Sequence, residues 1–362
     1  MMGVRRLKVV TVVGARPQFV KAAVLSRELR KDNDEILVDT GQHYDEGLSA
    51  VFFDELDIQQ PKYELGVGSG SHARQTAAVL TGVEDVLVRE KPDVCVVFGD
   101  TNSTLGAALA AAKLGVPVAH VEAGPRAGCL EWPEEINRVA VDHVSSILLC
   151  PTKVALENCR NEGLADRAYL TGDVNCDLLR ENHEKITAGT AVLDKFGVRP
   201  GEFLLATVHR AQNTDDRERL EAIVAALLDA GETVVLPAHP RLKNALHRTG
   251  LLSSLEAAGS VVITDPLGYV EFLSLAAHSR MVVTDSGGVQ KEAYMLGKPC
   301  VTLLERTPWP ETVAAGWNVL VKPEREAILQ AVNESEPTKP REELFGDGSA
   351  GKRICRVLSE AL

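Results

Sequence analysis

At 362 residues the chain exceeds what one ordinary α/β core accommodates, and two domains of roughly 150 to 180 residues are the natural division. Its 45% apolar and 25% charged residues are typical of a globular protein, and no apolar run approaches the roughly 18 residues of a membrane span, which excludes a disordered chain and an integral membrane protein. A net charge of −12 argues against a general nucleic-acid or anionic-membrane surface, so any phosphate must be held by a local basic pocket.

The opening MMGVRRLKVVTVVGARP reads as a first β-strand, because its short Val-rich run leads into Gly-Ala-Arg-Pro instead of a small-residue cleavage site. The seven cysteines show no CxxC or CxxH spacing, which predicts no metal framework and a reducing, cytoplasmic compartment. The sequon at Asn102-Ser103-Thr104 is then a chance match.

In chain order, Val/Ile/Leu runs predict strands at 7–13, 35–40, 93–98, 116–122, 146–150 and 168–171, then at 203–208, 233–237, 260–264, 281–284, 299–303 and 318–321. Amphipathic segments separate them, the pattern of parallel βαβ units. The fold class expected is α/β, with two Rossmann-like doubly wound domains. The boundary is placed near Thr171 to Asn175, giving residues 1–172 and 173–340, with a helix in 341–362 that packs back on the first domain. No repeat of 20 to 50 residues is visible.

The chemistry-bearing motifs follow strands, where open α/β sheets bind ligands. After the first strand comes GARPQFVK: Gly14 for a tight turn, Pro17 at a helix start, and Arg16 and Lys21 as cations that favour a bound anion. A loop arginine and a solvated lysine account for the same residues. GVGSGSHA at 66–73 follows no convincing strand and reads as a mobile loop, not a dinucleotide fingerprint. DVCVVFGDTNST ends a buried strand at Asp100, which either caps the next helix or acts catalytically. GVPVAHVE stays uncharged until Glu122, and a helix beginning near Pro133 carries Glu134 and Glu135 in its first turn and Arg138 one turn on. A capped surface helix also explains that acidic start.

In the second half, His209, Arg210 and Asn213 follow one strand and His239 and Arg241 the next, together suggesting a rim that faces phosphate. In VVTDSGGVQKEA, Ser286, Gly287 and Gly288 lead into a helix whose N–H groups can approach a phosphate, while Glu292 suits the two hydroxyls of a ribose. Phe272 and Tyr269 offer rings for a base, although core packing is the commoner fate of such side chains. There is no GxxxxGK[ST] and no HExxH.

Taken together, GARPQFVK, GDTNST, HVEAG, PEEINR, TDSGGVQKEA and AAGWNVLV resemble the non-hydrolysing UDP-N-acetylglucosamine 2-epimerases over essentially the whole chain. The resemblance implies a glycosyltransferase-B type fold with its active site in the interdomain cleft. It also implies a homodimer that interconverts UDP-N-acetylglucosamine and UDP-N-acetylmannosamine without metal or redox cofactor. The reaction it implies eliminates UDP to give a 2-acetamidoglucal and then adds UDP back. By motif, Asp100, Glu122 and Glu134 match the catalytic acids, with His209 and Arg138 supporting them near the sugar and phosphates. Arg16 and Lys21 match the phosphate side, Ser286, Gly287 and Gly288 the diphosphate loop, Glu292 the ribose acid, and Phe272 the ring against uracil.

Departures from the family pattern are Pro125, where leucine is usual, and Trp309 in TPWPE, an arginine position. GARPQ and WPET are similar to relatives that act on UDP-2,3-diacetamido-2,3-dideoxyglucuronate, an alternative substrate; a UDP-sugar transferase of the same fold is an alternative activity. Gln42, His43, Arg74 and Gln75 match a regulatory UDP-sugar contact of bacterial members, in altered surroundings.

Overall fold

The predicted apolar runs become the centres of two parallel sheets, because a strand covered by helices on both faces must be apolar throughout. The computed structural model describes residues 5–42 and 58–362; His43 lies outside them. Two compact units result, one formed by Met1–Glu181 with Glu343–Leu362 and the other by Asn182–Glu342. The division thus lies at Glu181/Asn182 instead of 172/173, since the helix over Val174–Glu181 stays with the first unit.

In the first unit the strands are β1 (Lys8–Val13), β2 (Asp34–Asp39), β3 (Tyr63–Glu64), β4 (Val94–Phe98), β5 (Val118–Val121), β6 (Ile147–Cys150) and β7 (Ala168–Leu170), in spatial order 3-2-1-4-5-6-7. Every pairing is parallel; Val9 lies opposite Val94 and Val97 opposite His120. The order reverses between β1 and β4, so their carboxyl ends diverge and leave a crevice. The principal helices are α1 (Arg16–Asp32), α2 (His72–Glu90), α3 (Asn102–Lys113), α4 (Pro133–Val144), α5 (Lys153–Asn161) and α6 (Val174–Glu181). One core joins β1, β2 and β4 to α2 and α3 through Val10, Val38, Val83, Val97 and Ala108.

β3 was not among the expected strands. It is a two-residue edge strand, and it gives the Gly-rich string a support: Val67 and Gly68 donate from their backbone to Thr40 and Gly41 at 2.9 Å. The string is therefore a hydrogen-bonded connection from β3 into α2, not the loose loop expected.

In the second unit the strands are β8 (Phe203–Thr207), β9 (Thr233–Pro237), β10 (Val261–Thr264), β11 (Met281–Thr284), β12 (Cys300–Thr302) and β13 (Asn318–Leu320), all parallel, in order 10-9-8-11-12-13. This is the same winding, with its reversal between β8 and β11. Its main helices are α7 (Arg217–Leu228), α8 (Pro240–Thr249), α9 (Tyr269–His278), α10 (Gly287–Met295) and α11 (Arg325–Glu334). Leu204, Leu236, Val283, Leu220 and Ile328 are among the buried side chains of its core.

The chain then returns to the first unit. Phe345 accepts a backbone hydrogen bond from Asp173 at 2.9 Å, and the last helix, α12 (Ala350–Ala361), packs on α1 and α6. Asp177 of α6 takes the leading N–H groups of α12, from Ala350 at 3.0 Å and Gly351 at 2.8 Å, which satisfies donors that a helix start otherwise leaves bare. Among the described residues no helix is long and apolar enough to cross a membrane.

Candidate active site

Arg16 and Asp100 in the first unit, and His209 and Ser286 in the second, follow the strands that flank the reversal; Glu122 follows β5 beside it, and His239 follows β9. After β1, the chain turns at Gly14 because nothing larger fits: a Cβ there would lie 1.9 Å from Thr40 Oγ1 and 2.4 Å from Ser103 Oγ. The reason for glycine is close packing, and not the tight turn expected. Gln18, in the first turn of α1, accepts from Gly14 N at 2.9 Å and Ala15 N at 3.1 Å and donates to Phe98 O at 2.8 Å, tying this loop to the end of β4. Arg16 begins α1 and is partly exposed.

At the end of β4, Thr101 is the N-cap of α3, its hydroxyl accepting from Thr104 N, so Asp100 does not cap that helix. Its carboxylate instead pairs with Arg138, and its carbonyl accepts from Asn137 Nδ2 at 2.9 Å. Arg138 is buried and also pairs with Glu135, whose Oε1 takes the N–H groups of Ala127 and Gly128 at 2.8 Å. Burial opposes the Arg138 charge, but Asp100, Glu135 and Glu122 outweigh it and raise its pKa. The guanidinium is a fixed cation.

At the end of β5, Glu122 adopts φ +69°, a left-handed conformation uncommon outside glycine and sustained only where surroundings enforce it. Its carboxylate meets Lys21 Nζ at 2.9 Å, with both side chains about nine-tenths buried. Lys21 thus stands against an acid rather than waiting open for an anion. The pair lies over Gly99, where φ is +62° and a Cβ would come 3.3 Å from Lys21 Nζ. Glu134, half-buried in the first turn of α4, completes the expected acids; its charge suits the helix start. The unit therefore gathers two buried cations, Arg138 and Lys21, with their carboxylate partners near the carboxyl ends of β4 and β5.

In the second unit a residue that sequence reasoning missed organises the site. Asp285, fully buried after β11, accepts from His209 N and Arg210 N, both at 3.0 Å, and from Asn213 Nδ2 at 3.1 Å. It holds the β8 loop against β11. Asn213 consequently faces inward, donating also to Leu303 O at 3.1 Å, and is not on the expected rim. His209 remains exposed, with its ring 6.2 Å from that of His239, which caps α8 by accepting from Arg241 N at 3.2 Å.

Ser286 is the N-cap of α10, so Gly287 and Gly288 present the first N–H groups of that helix. Beside them, an ideal Cβ on Gly287 would lie 3.7 Å from Trp309 Nε1 and 3.9 Å from the Arg210 guanidinium. Trp309 is buried, with Lys291 Nζ 4.6 Å from its ring centroid, a cation–π geometry. Glu292, in the second turn of α10, and Phe272, on α9, are both largely buried. Among the described residues no cluster of three or more His, Cys, Asp or Glu side chains is arranged to hold a metal ion.

Two doubly wound parallel sheets define a two-domain α/β protein of the glycosyltransferase-B kind. More specifically, the chain belongs to the UDP-N-acetylglucosamine 2-epimerase family, a family of isomerases, whose model matches residues 27–359. It is 44% identical over 354 residues to the UDP-N-acetylglucosamine 2-epimerase homolog of Methanococcus maripaludis, covering 97% of this chain and 99% of that one. It is equally 44% identical over 364 residues to the UDP-2,3-diacetamido-2,3-dideoxy-D-glucuronate 2-epimerase of Pseudomonas aeruginosa, covering 98% and 100%. Among solved structures, the Methanocaldococcus jannaschii UDP-GlcNAc 2-epimerase in complex with UDP-GlcNAc and UDP superposes with a TM-score of 0.92 at 40% identity, over 98% of this chain and 100% of that one.

Proposed function

We propose that the chain interconverts UDP-N-acetylglucosamine and UDP-N-acetylmannosamine by eliminating UDP and adding it back. The observation that carries this reading is the pair of carboxylates Asp100 and Glu122 just past the ends of β4 and β5, each held by a buried cation, with Glu134 in the first turn of α4. The sugar's C2 proton is only weakly acidic, and its removal needs a positioned base and a stabilised leaving group. A carboxylate takes the C2 proton; the C2–H electrons form the C1=C2 bond of the 2-acetamidoglucal, and the C1–O electrons leave with UDP. Protonation at C2 on the opposite face, with return of UDP oxygen to C1, completes the inversion. Asp100, Glu122 and Glu134 share this acid/base work, with Arg138 keeping its neighbouring acids oriented.

On the nucleotide side, the N–H groups at Ser286, Gly287 and Gly288 and the dipole of α10 offset diphosphate charge. Arg16 and His209 add cationic or hydrogen-bonding support, Glu292 binds the ribose hydroxyls, and Phe272 lies against uracil, while Lys21 is engaged by Glu122. This distribution uses the two reversals of strand order, the places where such sheets bind ligands.

A second substrate is favoured by one specific finding: the identity to the Pseudomonas aeruginosa enzyme for UDP-2,3-diacetamido-2,3-dideoxy-D-glucuronate is as high as that to the methanococcal homolog. Turnover of the two UDP-sugars side by side, followed by product NMR, separates them. The primary reading expects UDP-N-acetylmannosamine from UDP-N-acetylglucosamine without any acceptor. Product from the diacetamido uronate alone transfers the assignment to that sugar, and UDP release that requires an acceptor identifies a transferase instead.

A further inference from the structure

His120 is fully buried in the four-residue strand β5, two positions before Glu122, and both its ring nitrogens are within hydrogen-bond distance of oxygens. Nδ1 lies 2.6 Å from Asp142 Oδ1 and Nε2 lies 2.7 Å from Gly99 O, so the ring is held at both nitrogens. Asp142, on α4, is equally buried; its second oxygen accepts from Gly124 N at 3.0 Å and pairs with Arg126 at 2.8 Å. Burial alone would raise its carboxyl, but His120 and Arg126 hold it below the usual range.

One imidazole and one carboxylate therefore clamp two turns. The first contains Gly99, the residue before Asp100; the second contains Glu122 and Gly124. All three have positive φ, at +62°, +69° and +90°. Gly124 is further confined, because a Cβ there would lie 2.2 Å from Ala155 O. A buried carboxylate with polar and charged partners adds little net stability over apolar side chains of the same volume, so its use here is better explained by the geometry it imposes.

We propose that His120, through Asp142, is a positioning residue for epimerisation, fixing the Gly99 and Glu122–Gly124 turns so that Asp100 and Glu122 keep the separation needed on the sugar. This inference rests on the epimerase reading above. A satisfied core histidine would support folding alone; a positioning residue also governs how faithfully the glucal is reprotonated and recombined.

The test compares wild type with His120→Gln, His120→Ala and Asp142→Asn, measuring kcat, KM, UDP affinity, thermal midpoint and the fraction of turnovers that release free UDP and glucal. His120→Gln keeps a donor within reach of Gly99 O and loses the bond to Asp142. The expected result for His120→Ala is a kcat loss of about 100-fold with KM and UDP affinity within about threefold, as misplacement by about 1 Å produces. Glucal release per turnover rises, and His120→Gln recovers part of kcat. Folded variants with wild-type kcat and wild-type glucal release overturn the proposal, as does failure of all three to fold, which assigns the pair to folding alone. Absence of hydrogen exchange at C2 by the wild type with either UDP-sugar is a different failure: it overturns the epimerase reading first.

Discussion

At the residue scale, function depends on which partner each acid has. Asp100 is paired with Arg138 and does not cap α3, because Thr101 already does. Substituting Asp100→Asn keeps the shape and a hydrogen-bonding oxygen toward Arg138 but removes the proton acceptor. Turnover is expected to fall by about 100-fold or more while UDP binding is retained, since the loop proposed to hold the diphosphate, Ser286 to Gly288, lies in the other unit. Steady-state kinetics with UDP calorimetry check both halves, and unchanged turnover removes Asp100 from the chemistry. The positions of these acids were legible because uncharged strands ended on them. Their partners were not: Lys21 meets Glu122 across 101 residues of chain (122 − 21), and periodicity holds no information about contacts at that separation. Asp285 went unnoticed for a related reason, since an aspartate before Ser-Gly-Gly looks like loop chemistry until the β8 loop is seen folded onto it.

At the element scale, β1, β3 and α2 are joined by Glu90, whose carboxylate takes Lys62 Nζ and Lys8 Nζ at 2.7 Å and the Tyr63 hydroxyl at 2.5 Å. These hydrogen bonds, that from Lys62 foremost, then Lys8 and Tyr63, lower its pKa from 4.5 to about 2. The folded state thus holds the proton less tightly than the unfolded chain. This contribution to stability is complete above about pH 4.5 and is lost as pH falls toward about 2. Urea midpoints measured from pH 5 to pH 3 should decline less steeply in Glu90→Gln than in wild type; equal slopes contradict the assignment. The twelve strands expected from Val/Ile/Leu runs all have counterparts, because buried parallel strands are apolar on both faces. β3 escaped notice because two residues at a sheet edge leave no apolar run. The tight packing behind Gly14 was equally invisible, as it depends on Thr40 and Ser103 arriving from other elements.

At the scale of the molecule, the chain crosses to its second unit and returns, and α12 closes the first unit after that return. Asp177 makes this closure specific by taking two N–H groups of α12, a pair of charge-assisted bonds. Asp177→Ala should lower unfolding free energy by about 2–3 kcal/mol in urea titration, and an unchanged midpoint would show that packing of α12 on α1 and α6 suffices. The domain boundary was legible only to within several residues, because α6 is helical like the segments that follow it and its allegiance is set by the distant α12. Family membership accounts for the winding and for the motifs at the strand ends; the central claim is that the carboxylates of the first unit move a proton at C2. Incubation with UDP-N-acetylglucosamine in D2O, read by NMR, tests it most directly. The account predicts deuterium at C2 of the recovered UDP-sugars; turnover to the epimer with C2 fully protonated would contradict it.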